Sequence, residues 1–312
     1  MDWTVKHEFD IPTFVQQLVE EARALPATGK VADYIPALAN VKPEQVGLAL
    51  ATIDGKLYSA GDAQTGFSIQ SISKILGLVM AMNRVGDSLW QRVHMEPSGL
   101  PFNSIVQLEY EHGIPRNPFI NAGAILIADV LVKHYSASRQ AFISFIRQLA
   151  GCEQIFVDEG VFQSEKQHGS RNAAMAYLMK SFGNIEADVE RVLEHYFYQC
   201  SVTLSCQQLA TSLTFLANRG VHPQTNGMIC SRRDAHRVNA ILSTSGMYDQ
   251  SGEFAFTVGL PAKSGVGGGI VAIVPGYGVI CAWSPRLNHF GNSCLGMHMI
   301  TRLAEQLGLS VY

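Results

Sequence analysis

The sequence predicts an α+β protein built on one mixed antiparallel sheet, with strands from both chain ends, terminal helices over it and a large helical insert. Three observations predict it. Two strand-like runs meet at Asp54-Gly55, the strongest short hairpin signal in the chain. From about residue 69 to 245 the apolar periodicity is mainly helical. After Gly246 strand-like runs return and a helix closes the chain. No repeat, low-complexity tract or linker intervenes. One unit over residues 1–312 is therefore expected, with a sheet lobe (about 1–68 and 246–312) and a helical lobe (about 69–245).

Asp10-Ile11-Pro12-Thr13 starts a helix with Pro12 in its first turn. Phe14, Leu18, Val19, Ala22 and Leu25 give it an apolar stripe, stopped by Pro26. Residues 30–36 read as a loop with Tyr34 in its middle. Residues 46–53 and 56–62 are the two strands of the hairpin. Residues 75–82 are almost unbroken apolar residues, enough for a buried helix. Asn121 opens another helix, and residues 141–146 lie in a third. Ser170 looks like an N-cap, Ser205-Cys206-Gln207-Gln208 is a capping box whose helix ends near Gly220, and Ser231 starts a further helix. Three strands are then expected at 254–258, 269–274 and 278–283, with Lys263-Ser264-Gly265 between the first and second. A helix over 292–307 ends the chain.

Composition narrows the function classes. Hydrophobic residues make up 47% of the 312 and charged residues 16%, and the net charge is −3 without a basic block. Neither nucleic acid nor a membrane surface is expected as partner. Met1-Asp2-Trp3-Thr4-Val5-Lys6-His7-Glu8 lacks the apolar core of a secretory leader, and no apolar run reaches bilayer length. Six scattered cysteines without C-x-x-C spacing suit free thiols in a cytoplasmic protein. The ten histidines form no ligand spacing, so no metal is expected.

The chemistry gathers at Gln70-Ser71-Ile72-Ser73-Lys74. Ser71 sits where the apolar helix begins, and Lys74 follows one turn later on the same side. A serine hydroxyl needs a base, and a buried lysine with a lowered pKa can serve. S-x-x-K with a downstream K-[ST]-G is the pattern of β-lactamases and penicillin-binding proteins. Lys263-Ser264-Gly265 supplies the second element, and the glycines at 267–269 let backbone approach a ligand closely. The backbone N–H groups of Ser71 and Val266 could form an oxyanion hole.

Longer stretches are more specific. They are Tyr34-Ile35-Pro36-Ala37-Leu38-Ala39, Gln70 to Lys74, Asn117-Pro118-Phe119-Ile120-Asn121-Ala122-Gly123-Ala124, Ser164-Glu165-Lys166 with Arg171-Asn172, Tyr196-Phe197 before Cys200-Ser201, Met247-Tyr248 before Gly252-Glu253-Phe254-Ala255, and Gly259-Leu260-Pro261-Ala262-Lys263-Ser264-Gly265-Val266-Gly267-Gly268. On these, from about residue 30 to 290, the chain resembles the serine-dependent glutaminases of bacterial type, related to the catalytic domain of kidney-type glutaminase. The family's ankyrin repeats and long N-terminal extension have no counterpart in these residues.

The resemblance implies a β-lactamase/penicillin-binding-protein-like fold and hydrolysis of L-glutamine to L-glutamate and ammonia through a glutamyl-serine ester. It makes Ser71 the nucleophile, Lys74 its base, Tyr248 the proton relay and the Val266 amide an oxyanion donor. Tyr34, Gln70, Asn121, Glu165, Asn172 and Tyr196 would hold the substrate with them. It implies no cofactor, and a homotetramer or homodimer. The residue chemistry agrees: a lone carboxylate such as Glu165 suits an ammonium, and amide and phenol donors suit a carboxylate without a competing cation. Two rivals stand beside this reading. A penicillin-recognising acylase would want S-D-N, which is absent, and a substrate outside the cytoplasm. A silent glutamine-binding protein would have no need of Ser71, Lys74 and Tyr248 together.

Overall fold

The structure, a computed structural model, describes residues 10–99 and 104–312. The expectation about a leader in residues 1–8 lies outside the described residues. In chain order the strands are β1 (Lys30–Val31), β2 (Gly47–Thr52), β3 (Leu57–Gly61), β4 (Phe67–Ser68), β5 (Phe156–Val157), β6 (Val202–Leu204), β7 (Ala262–Ser264), β8 (Gly269–Val274), β9 (Gly278–Trp283) and β10 (Arg286–Leu287). The central sheet has the order β3-β2-β9-β8-β7, with every neighbour antiparallel. Early β2 therefore pairs directly with late β9, Gly47 opposite Trp283. Two small sheets flank it, β1-β10 and β4-β6-β5.

Strands β2, β8 and β9 are buried at every position. Their continuous apolar runs follow from a sheet covered on both faces. Leu48, Leu50, Ile270, Ala272, Val274 and Ile280 pack with the terminal helices Ile11–Ala24 and Cys294–Leu307. The alternate residues Ala49, Val271, Ile273, Val279 and Trp283 join the core of the helical insert. In that core lies the helix Ser73–Val85, whose first ten residues are all buried. From Ile75 to Met82 it is apolar on every side and sits in the core, and only its last turn from Asn83 reaches solvent.

Four expectations need correction. Residues 254–258 are not a strand; Ser251–Thr257 is a helix. Phe254 and Val258 are buried while Phe256 is 92% exposed. Positions i and i+4 satisfy both helical and strand periods, and only the outward i+2 residue tells them apart. The first of the three late strands is instead β7, so Lys263 and Ser264 lie in a strand and not between strands. Residues 30–36 are not all loop: β1 pairs with β10, and Pro36–Ala39 is a helical turn. The other expected elements fall within a few residues of their place. Asp10 caps the first helix and Ser205 with Gln208 forms a capping box. Ser170 is the first helical residue and makes no side-chain cap, which leaves Gly169 at the N-cap.

Two contacts fix where the site will be. Phe67 stacks on Trp283 with centroids 4.9 Å apart, and the indole N–H donates to the Gly267 carbonyl at 2.9 Å. That ties β4, which leads to Ser71, and the glycine loop after β7 to the same end of β9, the central strand. The helix Asn121–His134 begins hard against the loop before it: a Cβ on Gly123 would stand 1.9 Å from the Asn117 carbonyl oxygen. Gly123→Ala gains about 1 kcal/mol of helix propensity. The clash is with backbone and forces the helix start to move, an overpacking cost of about 1–3 kcal/mol or more. The variant is expected to unfold at lower denaturant concentration than wild type and to lose turnover, because Asn121 moves with the helix. A midpoint equal to wild type would show that the two segments are not in this contact.

Candidate active site

A cavity of about 330 Å³ opens where the Ser73–Val85 helix starts, between the β7–β8 loop and the helical insert. Nine of the ten candidate residues line it: Tyr34, Gln70, Ser71, Asn121, Glu165, Asn172, Tyr196, Tyr248 and Val266. The tenth, Lys74, is buried beneath them.

Ser71 sits in the single 3-10 turn Gln70–Ile72 that runs into the helix. The turn is entered through a left-handed Gln70, φ +47°. A non-glycine residue there carries local strain, a common companion of functional sites. Lys74 is fully buried; its Nζ donates to Asn121 Oδ1 at 2.7 Å and to the Phe119 carbonyl at 3.2 Å. Burial pushes its pKa down to about 8, against the opposing pull of Cys200 and Glu165. That leaves a lysine able to accept a proton near neutrality.

Tyr248 also reaches Ser71. Its phenol lies beside the Ser71 hydroxyl and donates to the Ser264 carbonyl at 3.4 Å. Burial raises it to about 12. Its backbone is also left-handed, φ +53°. The turn is held by Ser251, whose hydroxyl donates to the Tyr248 carbonyl at 2.8 Å, and by Asn292, which donates to the Met247 carbonyl at 3.2 Å. Buried Lys263 lies 4.4 Å from the Tyr248 ring centroid and donates to the Gly246 and Ser264 carbonyls. Burial lowers its pKa well below the usual lysine value.

The glycines of the loop after β7 have a steric reason. A Cβ on Gly265 would lie 2.6 Å from the Ile69 carbonyl oxygen, and one on Gly267 2.1 Å from that of Ser68. The loop thus runs against the backbone leading to Ser71, which puts Val266 on the cavity wall.

The opposite wall is polar. Buried Glu165 has its pKa raised by desolvation, with Gln70, Tyr34 and Lys74 acting the other way. The Tyr34 hydroxyl lies 3.2 Å from Glu165 Oε1 and 3.3 Å from Gln70 Oε1, although its ring is half exposed. Gln70 donates to Ser68 Oγ at 3.1 Å. Asn121 donates to Asn172 Oδ1 at 3.1 Å, so one chain runs from Asn172 through Asn121 to Lys74. Tyr196 is buried below them, and burial holds its phenol well above its usual pKa.

Sequence reasoning missed His168, Arg171 and Cys200, which also line the cavity, and Asn292 behind Tyr248. Arg171 and Cys200 lay inside quoted motifs, but nothing about an exposed-looking arginine or a lone cysteine marked them. Among the described residues no group of three His, Cys, Asp or Glu side chains could hold a metal.

Residues 29–312 match the family model described as Glutaminase. Glutaminases of Pseudomonas savastanoi pv. phaseolicola and Pseudomonas fluorescens are each 51% identical to the chain over 298 residues, 96% of this chain and 99% of theirs. Among solved structures, a probable glutaminase named ybaS superposes with a TM-score of 0.90 at 38% identity, covering 97% of this chain and 99% of its own. A probable glutaminase of Bacillus subtilis gives 0.89 at 33%, covering 96% and 97%. On sequence, on fold and over nearly its whole length, the chain belongs to the glutaminase family.

Proposed function

We propose that the glutaminase reaction of this chain, hydrolysis of the side-chain amide of L-glutamine to L-glutamate and ammonia, runs through a glutamyl ester of Ser71. The observation that supports this reading is that Ser71, at the wall of a cavity with a single carboxylate, has buried Tyr248 beside it and buried Lys74 three residues on in the chain, two proton carriers of different pKa. Lys74, near 8, takes the serine proton as Oγ bonds to the amide carbon. Tyr248, near 12, stays protonated at neutral pH and hands its proton to the departing nitrogen. Two groups whose environments drive their pKa values apart divide the acid and base roles in this way. The N–H groups of Ser71 and Val266 take the oxyanion. Water then adds to the ester carbon with the same pair as relay, and glutamate leaves with Ser71 restored. Glu165 pairs with the substrate's ammonium, and Tyr34, Gln70, Asn121, Asn172 and Tyr196 shape the rest of the pocket.

The same arrangement supports a β-lactamase/penicillin-binding-protein-like scaffold: an S-x-x-K turn facing a K-S-G edge strand. It also supports one functional unit, since the larger core takes residues from both sheet and helical insert. No helix among the described residues is long and apolar enough to cross a membrane. With free cysteines throughout, that favours a cytoplasmic location. Exposed Tyr110, Met228 and Phe256 leave apolar area for the homotetramer or homodimer that the family resemblance implies.

Ser71→Ala is expected to remove nearly all ammonia release while the far-ultraviolet spectrum stays that of wild type. A glutamine-derived electrophile should label Ser71 in the wild type and nothing in the variant. Near-normal turnover by Ser71→Ala ends the acyl-enzyme reading.

Lys74→Ala and Tyr248→Phe should each lower kcat by at least about a hundredfold, the scale of general acid–base catalysis. A base must be unprotonated, so kcat/KM of wild type should rise with pH through about 8, the value to which burial brings Lys74. The rising limb should be missing from the residual activity of Lys74→Ala; its persistence there would assign the base elsewhere.

Glu165→Gln leaves the substrate's ammonium without its counter-charge in a buried site. A charge-assisted hydrogen bond contributes about 1.5–3 kcal/mol, and each 1.4 kcal/mol is about tenfold, so kcat/KM for glutamine should fall roughly ten- to a few hundredfold. The loss should be much smaller on the analogue lacking the α-amino group. Equal losses on both substrates would make Glu165 a structural residue. Rapid β-lactam turnover by wild type, without ammonia from glutamine, would favour the penicillin-recognising rival.

A further inference from the structure

Tyr248 enters the cavity from a left-handed backbone, φ +53°, a conformation that a tyrosine keeps only when its surroundings impose it. Residues 288–292, between β10 and the terminal helix Cys294–Leu307, are bonded to that turn. We propose that Asn292 is a positioning residue for the reaction: its side-chain amide, fixed by this loop, holds the turn from Met247 to Gln250 so that the Tyr248 phenol stays at Ser71. The inference rests on the reading of Tyr248 as proton donor given above.

Four observations carry it. Asn292 is fully buried and lies outside the cavity lining. Its Nδ2 donates to the Met247 carbonyl at 3.2 Å and to Gln250 Oε1 at 2.9 Å, so one amide grips both ends of the turn, its N-cap and its last residue. Asn288 secures the same point: its Nδ2 donates to Gln250 Oε1 at 3.0 Å, and its Oδ1 accepts from the N–H groups of Phe290 at 3.0 Å and Asn292 at 3.1 Å. On the far side Ser293 caps the terminal helix and donates to the Ser284 carbonyl at 2.7 Å, which anchors the loop to rigid elements. Finally, Gly291, φ +88°, brings the loop backbone up to the reacting groups. A methyl on it would stand 3.8 Å from Tyr248 Cε2 and 3.8 Å from Val266 Cγ1, so the loop borders both residues.

The chemistry makes this placement matter. A proton passes only between groups within hydrogen-bond reach, and a displacement of about 1 Å can cost about a hundredfold in rate. The phenol's bond to the Ser264 carbonyl is long, at 3.4 Å, so the ring's position depends on the backbone that carries it. Loss of the Asn292 amide loosens that backbone without dismantling it. The Met247 carbonyl keeps the Gln250 N–H at 3.1 Å, and Gln250 Oε1 keeps Asn288. Asn292 Oδ1 accepts no hydrogen bond among the described residues, so its removal strands no buried donor. Asn292→Ala therefore changes where Tyr248 sits in a protein that still folds.

The test is a double-mutant cycle of Asn292→Ala and Tyr248→Phe, read by ammonia release from L-glutamine, with far-ultraviolet spectra to check that each variant is folded. Asn292→Ala alone should lower kcat roughly ten- to a hundredfold and leave KM within about threefold, because the group it places acts in the transition state. In the Tyr248→Phe background the same change should cost less than about twofold, since the proton whose position it governs is gone. The rise of kcat/KM through about 8 should persist in Asn292→Ala, because Lys74 takes its hydrogen bonds from Asn121 and Phe119 and not from this loop. The same cycle with Asn288→Ala, which frees the same Gln250 oxygen, should show the same non-additivity, and it decides the matter if Asn292→Ala does not fold. A kcat within about twofold of wild type in the single variant, or equal losses in both backgrounds, would overturn the assignment. Either result would leave Tyr248 as proton donor, whereas a normal kcat in Tyr248→Phe would remove both readings.

Discussion

The desolvation of Lys74 is the constraint on which the site depends. An ammonium with no water around it is expensive, and the helix Ser73–Val85 supplies apolar neighbours on every side. The protein meets that cost in two ways. It gives Nζ two fixed acceptors, Asn121 Oδ1 and the Phe119 carbonyl, and it lets the proton leave more readily. Both choices bind the helical insert to the reaction, because the acceptors come from the loop and helix start around residue 120. The close approach at Gly123 is therefore part of the same device: it sets the position of the acceptor, and the acceptor holds the Lys74 ammonium.

The second half of the site is built from the sheet. β7 carries Lys263 under the Tyr248 ring, and the glycine loop beyond it lies on the backbone entering Ser71. The two left-handed backbones, at Gln70 and Tyr248, belong to residues that line the same cavity as the serine. Each is held by neighbours that make no contact with the cavity, such as Trp283 behind the loop and Asn292 behind Met247. Strain of this kind persists only where the surroundings over-determine it.

Much of this was legible in the sequence, for physical reasons. The Asp54-Gly55 hairpin, the capping box at Ser205 and the all-apolar helix are local signals, read without knowing what packs where. The helix Ser251–Thr257 reads as a strand because Phe254 and Val258 satisfy two periods at once, and the exposure of Phe256 is a tertiary fact. The residues around Ser71 were named from motifs, yet their pairing was not visible. Tyr34 meets Glu165 across most of the helical insert, and nothing local in either stretch records the other. Arg171 escaped for a related reason: an arginine at a helix start reads as solvated until the opposite wall of a cavity is known.

The sheet order has a consequence for time. β2 is made early, yet its central-sheet neighbour β9 lies more than two hundred residues later, and β1 waits for β10. At synthesis speeds of about 5–20 residues per second, the edge of the first hairpin stays unpaired for roughly 10–45 s. Val266 and the strand that carries Lys263 follow Ser71 and Lys74 by nearly two hundred residues. The cavity that Ser71, Tyr248 and Val266 line together therefore cannot close until that late segment has been made. Long-range pairing of this sort makes folding slow, and here the wall of the cavity waits on the same late pairing.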